Sequence, residues 1–521
     1  MAKYILKRSL HGIVSIIIVT GIVMLLVYSL MSRDQIFKED PLFTKVSTNR
    51  KVTYKYEMWE KYGYLDYVNY TDWLTMLEKN GEIDSETRQK AVGIGKKPEN
   101  DSAFVAEYVQ KFTDYYTNQG YEITRLNAVS MGKKTSSGGQ QQLFAAKDRS
   151  VFQRLLEYFT KMFRVDGIHS IEDYPEERGI EFTWYDPVYG GEKFSPAILG
   201  KGTYHRYLFY IDDEFPFIHQ NILTMNLGLS YSVNQGIDIT TTMTQKQGGQ
   251  VKQEVQYPSG LKELSADDLH TATYSPGSQG GALNVDRFTD DYTNVNLRKD
   301  GMSRMGYSFL IGILSTILSY LIGVPVAIWM AQKKDKLVDQ IGSVYVVFIT
   351  AMPSLAYIFI VKAIGNAIGI PTTFVMDQFS WTMLILPIIS LALRPIGGMM
   401  RWLRRFMVDQ QNADYVKFAR SGGLSEGEIF RKHIFKNAVI PIVHDIPGAV
   451  LFSLVGALIT ERVYVVPGVG GLLVNAIQKY DNGVIVGVAL FYAALSVASV
   501  ILGDVMMSMV DPRINFNSKA R

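Results

Sequence analysis

A chain of 521 residues is long enough for more than one domain, and 47% of it is hydrophobic. A formal net charge of +3 gives no electrostatic reason to expect nucleic acid. The absence of cysteine excludes disulfides, thiol catalysis, Cys-ligated zinc and iron–sulfur clusters.

The chain opens with Lys3, Lys7 and Arg8, followed by an apolar run over 10–30. About 20 apolar residues cross a bilayer. This run exceeds a signal-peptide core and has no obvious small-residue cleavage site, so it reads as a retained helix. Residues 33–302 form a polar, tyrosine-rich insertion large enough to bury its own core. Its first part predicts helices. Phe104, Val105, Tyr108, Val109, Phe112 and Tyr116 recur at helical spacing between a cap at Ser102 and a stop at Gly120. A second amphipathic helix starts at Ser150, with Phe152, Leu155, Leu156, Phe159 and Phe163 on one face. Strands are expected over 180–185, 204–211 and 250–257. The Gly-, Asp- and Asn-rich stretch 275–298 reads as a loosely ordered return to the membrane. Tyrosines crowded over 54–70 read as core and interfacial belt, with a peptide- or partner-binding surface as the alternative.

Five more apolar runs follow, over 305–330, 341–364, 381–400, 438–460 and 484–510; Arg394-Pro395 interrupts the 381–400 run. Positive charge favours the cytoplasmic side. Lys333, Lys334 and Lys336, then Arg401, Arg404 and Arg405, then Arg513, Lys519 and Arg521 fall on the same side as the N-terminal cluster if six helices alternate. Both termini are therefore expected in the cytoplasm and the insertion outside. The expected division is a first helix over 1–32, an extracytoplasmic domain over 33–302 and a membrane core over 303–521. Lys362 and Arg394 are expected to snorkel, and Asp504 to pack helices. Pro325, Pro353 and Pro447 are expected to kink their helices.

Between the fourth and fifth runs lies a polar element that a simple loop does not need, within 410–436. Tyr415 to Arg420 is helix-compatible, and Gly422-Gly423 can end that helix in a left-handed turn. Ser425 and Glu428 then have the spacing of a capping box. Lys417, Arg420, Arg431, Lys432 and Lys436 place the element in the cytoplasm. A structured element there invites a docking partner; an ordinary amphipathic surface pair is the alternative.

The string Asp414-Tyr415-Val416-Lys417-Phe418-Ala419-Arg420, then Gly423-Leu424-Ser425-Glu426, resembles the coupling motif of ATP-binding-cassette (ABC) importer permeases. That motif is loosely Glu-Ala-Ala, three residues, then Gly. Ala419 and Gly423 match its last alanine and its glycine, whereas Lys417 and Phe418 replace the first two positions. The departures resemble the oligopeptide/dipeptide branch. Asn226-Leu227-Gly228-Leu229-Ser230 resembles that branch's Asp-Leu-Gly-x-Ser signature, and Asp504 with Asp511-Pro512-Arg513 its C-terminal one. Glu461-Arg462-Val463-Tyr464-Val465-Val466-Pro467-Gly468-Val469-Gly470 resembles the string Glu-x-Val-Phe-x-x-Pro-Gly-x-Gly. Irregular backbone at membrane depth cannot face lipid, so Glu461, Tyr464, Pro467, Gly468 and Gly470 are candidates for a re-entrant outer gate; a helix-to-helix turn is the alternative. The long insertion is similar to the Gram-positive Ami-type subunits.

The resemblance implies an all-α polytopic membrane domain of six transmembrane helices, like the type I ABC importers. It carries a large α+β extracytoplasmic insertion between helices 1 and 2. It also implies a transport subunit without catalysis, coupled through Asp414, Ala419, Arg420, Gly423, Leu424, Ser425 and Glu426. Its implied partners are a second permease chain, two cytoplasmic ATPases that hold ATP and magnesium, a lipid-anchored peptide-binding protein, the peptide and membrane lipid. In this reading the insertion docks the binding protein and Leu424 fills an apolar pocket on an ATPase. The sequence has no Gly-x4-Gly-Lys-Ser/Thr loop, no Gly-x-Ser-x-Gly elbow and no His-x3-His pair, so no cofactor or metal is expected in this chain. The rival reading is a membrane receptor with an outer ligand domain, for which no kinase or other output domain is seen.

Overall fold

A computed structural model describes residues 2–128, 141–168, 170–213, 217–376 and 379–510. Helix α1, Ala2–Leu30, is apolar nearly throughout and packs along the last helix of the chain. The insertion that follows begins with a lobe of helices α2 (Lys51–Lys61), α3 (Tyr70–Lys79) and α4 (Ala103–Asn118), the last capped by Ser102 as its sequence predicts. The lobe also holds a sheet not foreseen from sequence: β1 (Leu65–Asn69), β2 (Glu122–Leu126) and β3 (Gln142–Asp148), antiparallel in the order β1-β3-β2. Tyr54, Tyr56, Tyr62, Tyr64 and Tyr67 join Phe37, Trp59, Phe144 and Tyr231 in one aromatic core, which is the core reading of the crowded tyrosines. Buried Asp40 holds that core to the next lobe by accepting hydrogen bonds from Tyr54 (2.9 Å) and Tyr231 (2.6 Å).

Helix α5, Val151–Lys161, carries a complete capping box at Ser150 and Gln153. It leads into a second, strand-rich lobe. Short β4 (Phe163–Val165) pairs with β9 (Leu223–Met225), and β5 (Gly179–Tyr185), β6 (Phe194–Lys201), β7 (Tyr207–Ile211) and β8 (Ile218–Gln220) form an antiparallel sheet in that order. Two further pairs close it, β10 (Gln253–Gln256) with β11 (Lys262–Ser265), and β12 (Asp267–Thr273) with β13 (Asn294–Leu297). The stretch expected to be loose is therefore ordered: β13 is paired, and Phe288 and Tyr292 are buried.

The membrane bundle comprises α6 (Arg304–Gln332), α7 (Leu337–Ala351), α8 (Ser354–Ala367), α9 (Ile385–Gln411), α10 (Asp414–Ser421), α11 (Glu426–Ile429), α12 (Phe435–Tyr464), α13 (Val469–Gln478) and α14 (Asn482–Val510). Among the described residues five helices are long and apolar enough to cross a membrane, or six if α7 and α8 count as one broken span. That pair occupies the apolar run over 341–364 and breaks at Pro353, one of the expected kink sites. It bends by 111°, because Met352 is extended before Pro353 and the proline caps a new helix. By contrast, Arg394-Pro395 does not interrupt α9, which runs through both. Pro325 lies inside α6, and Pro441 and Pro447 inside α12. The Lys362 Nζ donates to the carbonyl of Val463, at the end of α12, at 2.7 Å. Asp504 does pack helices, accepting from Tyr4 at 2.7 Å and lying 3.4 Å from Arg8 of α1. The string 511–513 and the closing basic residues lie outside the described residues.

The insertion is tied to the bundle at the start of α14. Fully buried Asp481 accepts on Oδ2 from the Ser230 hydroxyl (2.7 Å) and from the backbone N–H groups of Tyr231, Ser232 and Val233 (3.0 Å each). Leu227 and Ile239 pack beside Gly483 and Gly487, where an added Cβ would meet the Leu229 carbonyl at 2.5 Å and Ile239 at 3.0 Å. The Leu-Gly-x-Ser segment is thus a plug seated on α14.

Candidate coupling element and Pro-Gly turn

Helix α10 stops in a Schellman turn. The Leu424 N–H reaches the Ala419 carbonyl (3.3 Å), the Gly423 N–H reaches that of Arg420 (3.1 Å), and Gly423 has φ +84°. Only Gly423 is left-handed; Gly422 has φ −77°. The turn leads directly into the Ser425–Glu428 capping box of α11, in which each side chain accepts from the other's backbone N–H, at 3.4 and 3.2 Å. The Arg420 guanidinium spans the turn to both carboxylate oxygens of Glu426, at 2.5 and 3.0 Å, and holds that carboxyl below its ordinary range. Asp414, in the first turn of α10, pairs with Lys417 at 2.9 Å. A single π-turn, Phe430–Ile434, then joins α11 to α12.

One face of this hairpin is fixed. Val416, Ile429, Phe430 and Ile434 are buried against Ala327 and Ala331 of α6 and Leu403 and Met407 of α9. Ala419 and Leu424 are half-buried on the same cluster. Leu424 therefore packs in part on its own bundle. The free apolar side chain is Phe418, 82% exposed. The sequence showed it only as a departure from a triplet; a phenylalanine between lysine and alanine on a helix with charged neighbours was the available signal. Arg404 locks the same end of the bundle by donating to both oxygens of Asp339 on α7, at 2.6 and 2.5 Å.

The second candidate region lies at the opposite end of α12. Glu461 is 1% exposed, and its carboxylate accepts from Ser308 (2.6 Å) and from the N–H of Gly471 (2.8 Å); Ser308 in turn accepts from the N–H of Val469 (2.9 Å). Tyr464 is buried and shares a hydrogen bond with Ser390 (2.9 Å). Val465 ends the helix in the left-handed region, at φ +59°. Pro467, Gly468 and Gly470 are buried. A Cβ on Gly468 would stand 2.2 Å from the Glu461 carboxyl carbon, and one on Gly470 2.7 Å from the Leu458 backbone. The structure brings Gly468 and Gly470 against the buried Glu461 carboxylate, while Tyr464 bonds to Ser390 on α9. The glycines are required for lack of room, since Gly468 has φ −95°.

Residues 323–516 match the family described as binding-protein-dependent transport system inner membrane component. The oligopeptide transport system permease protein AmiC of Streptococcus pneumoniae is 32% identical over 528 residues, covering 100% of this chain and 99% of its own length. The dipeptide transport system permease protein DppB of Lactococcus lactis is 28% identical over 43% of this chain and 73% of its own. A chain of the inward-facing MetNI methionine ABC transporter overlaps 39% of this chain and 93% of its own at a TM-score of 0.32 and 14% identity, a likeness that plays no part in the assignment. With similarity to AmiC running the whole length of the chain, insertion included, the chain belongs to the oligopeptide permease subunits of binding-protein-dependent ABC transport systems.

Proposed function

We propose that this chain forms half of the translocation path of an ATP-driven oligopeptide importer and takes its power stroke through the 414–436 hairpin. The observation that carries this reading is the hairpin itself. Its turn is closed by backbone bonds, its second helix is capped, one face is buried in the bundle, and the other presents Phe418 to a partner. A rigid lever of that kind transmits force, whereas a mere connection has no use for it. The partner is a cytoplasmic ATPase subunit, which holds ATP and magnesium. Phe418 fills the apolar seat there, and Arg420 and Glu426 stiffen the turn beside it. ATPases of this class act in pairs, so a second permease chain supplies the other hairpin.

In the same reading both termini are cytoplasmic, and the insertion stands outside and receives a lipid-anchored peptide-binding protein. The Glu461-centred turn is the fixed point about which the outer gate forms. The test is co-purification of the ATPase subunits with the tagged permease pair. Phe418→Asp places a charge in the apolar seat without touching the buried face, and should release one ATPase copy while the permease pair stays together. Undiminished ATPase recovery would remove the hairpin from its assigned role.

A further inference from the structure

The structure leaves much of the amphipathic face of α5 open. Phe152 is 72%, Leu156 57% and Phe163 55% exposed. At 100° per residue Phe152 and Leu156 fall within one narrow arc of the helix, and Phe163 follows as the first residue of β4. Glu157 and Lys161 fall on the far side of it. The strand pair beyond the helix extends the same surface, with Val165, Leu223 and Met225 exposed. Three large apolar side chains in a row on a domain otherwise rich in charge need an occupant.

The position of the helix identifies the occupant. Leu155 lies against Gly21 of α1, 3.5 Å from where a Cβ would stand. Arg154, one residue earlier, stacks between Tyr28 of α1 (3.5 Å) and Tyr64 (4.1 Å). Gly21 is nine residues from the end of α1 at Leu30, or about 13 Å along the axis. Ile18 and Leu25, on the same face of α1 as Gly21, are 55% exposed each and lie within its apolar run. The open arc of α5 therefore continues the lipid-facing stripe of a membrane-spanning helix, beside its last two to three turns. Arg154 and Tyr28 sit where guanidinium and tyrosine side chains collect at a bilayer interface.

We infer that α5 is an interfacial helix: it lies in the headgroup and upper acyl region of the bilayer with Phe152 and Leu156, and Phe163 just beyond its end, in lipid, and so fixes the height of the inserted domain over the membrane. This goes beyond the importer reading, since it requires only that α1 spans the membrane.

The chain has no cysteine, so single cysteines report one position each. Spin labels at Phe152→Cys, Leu156→Cys, Glu157→Cys and Lys161→Cys are read in the full-length chain in phosphatidylcholine–phosphatidylglycerol vesicles, alone and in the assembled complex. The readout is the ratio of collision rates with oxygen, which concentrates in lipid, and with a water-soluble nickel chelate. The ratio should be several-fold higher at 152 and 156 than at 157 and 161 in both preparations. Equal, nickel-accessible labels at all four positions would put the helix in water and overturn the inference. Loss of both collision rates at 152 and 156 in the complex would assign the face to a partner chain and overturn it equally.

Discussion

Asp481→Ala tests how the insertion is held to the bundle. The carboxylate is fully buried and satisfies five donors: the Ser230 hydroxyl, the N–H groups of Tyr231, Ser232 and Val233, and, through Oδ1 at 3.2 Å, the N–H of Val484. The Ser230 hydroxyl can rotate, and Ser232 and Val233 are partly open to water. The buried N–H groups of Tyr231 and Val484 have no such relief. An unsatisfied buried donor costs about 1–3 kcal/mol, so the substitution should destabilise the plug by about 2–6 kcal/mol. Asp481→Asn keeps one acceptor oxygen and should lose less. The apolar contacts of Leu227 and Ile239 remain, so the plug should loosen while the bundle stays folded. Limited proteolysis of the purified chain in detergent, read by mass spectrometry, should show new cleavage within 226–240 in the alanine variant, less in the asparagine variant and none in the wild type. A thermal melt should show an earlier first transition. An alanine variant with wild-type cleavage and an unshifted melt would refute the argument that this carboxylate seats the insertion.

Gly468→Val should abolish transport while the hairpin still retains its ATPase, because the new side chain overlaps the Glu461 carboxylate; uptake and co-purification measured together check both halves, and normal uptake would show that the turn gives way. Ser425→Ala removes the cap of α11 at a cost of about 0.5–2 kcal/mol, and hydrogen exchange should quicken over 425–430 without change in the spans. In the inserted domain, burial alone would raise the Asp166 carboxyl, but hydrogen bonds from His205, Ser170 and the N–H groups of His205 and Tyr204 outweigh it and hold the carboxyl at about 2 against an ordinary 3.8. A depressed value means stability present above the unfolded value and lost as pH falls from 3.8 toward about 2. Asp166→Asn should flatten that part of the acid-unfolding curve; an unchanged acid limb would assign it to other groups.

What the sequence made legible is local. Spans show through their length, and the caps at Ser102, Ser150 and Ser425 through side chains that bond three residues on. The hairpin was readable because a left-handed glycine and a capping box each fit within a few residues. Long-range pairing was not readable. Strand β6 contains Pro196 and Gly200, which blur its alternation, yet Ser195, Ala197 and Leu199 are buried on one face of it. Strand β13 pairs with β12, 21 to 30 residues earlier in the chain. The break between α7 and α8 was marked by Pro353, but the size of its bend was not readable because both halves are apolar. Glu461 was picked out by its string, but its partners Ser308 and Gly471 come from α6 and α13. Asp481 was missed, being one aspartate among polar neighbours until the Ser230 loop closes on it.

The central claim is that the 414–436 hairpin couples ATP hydrolysis to peptide movement, and Gly423→Trp tests it most directly. A tryptophan there must adopt φ +84°, which favours glycine. No atom lies within 4 Å of its Cβ position, so the ring would project from the open side of the turn and obstruct the seat without disturbing the bundle. The measurement is peptide uptake together with peptide-stimulated ATP hydrolysis by the complete importer in proteoliposomes, variant against wild type, with membrane insertion verified. The account predicts loss of both uptake and stimulation with the variant chain fully inserted. Wild-type uptake and stimulation in the Gly423→Trp complex would contradict it.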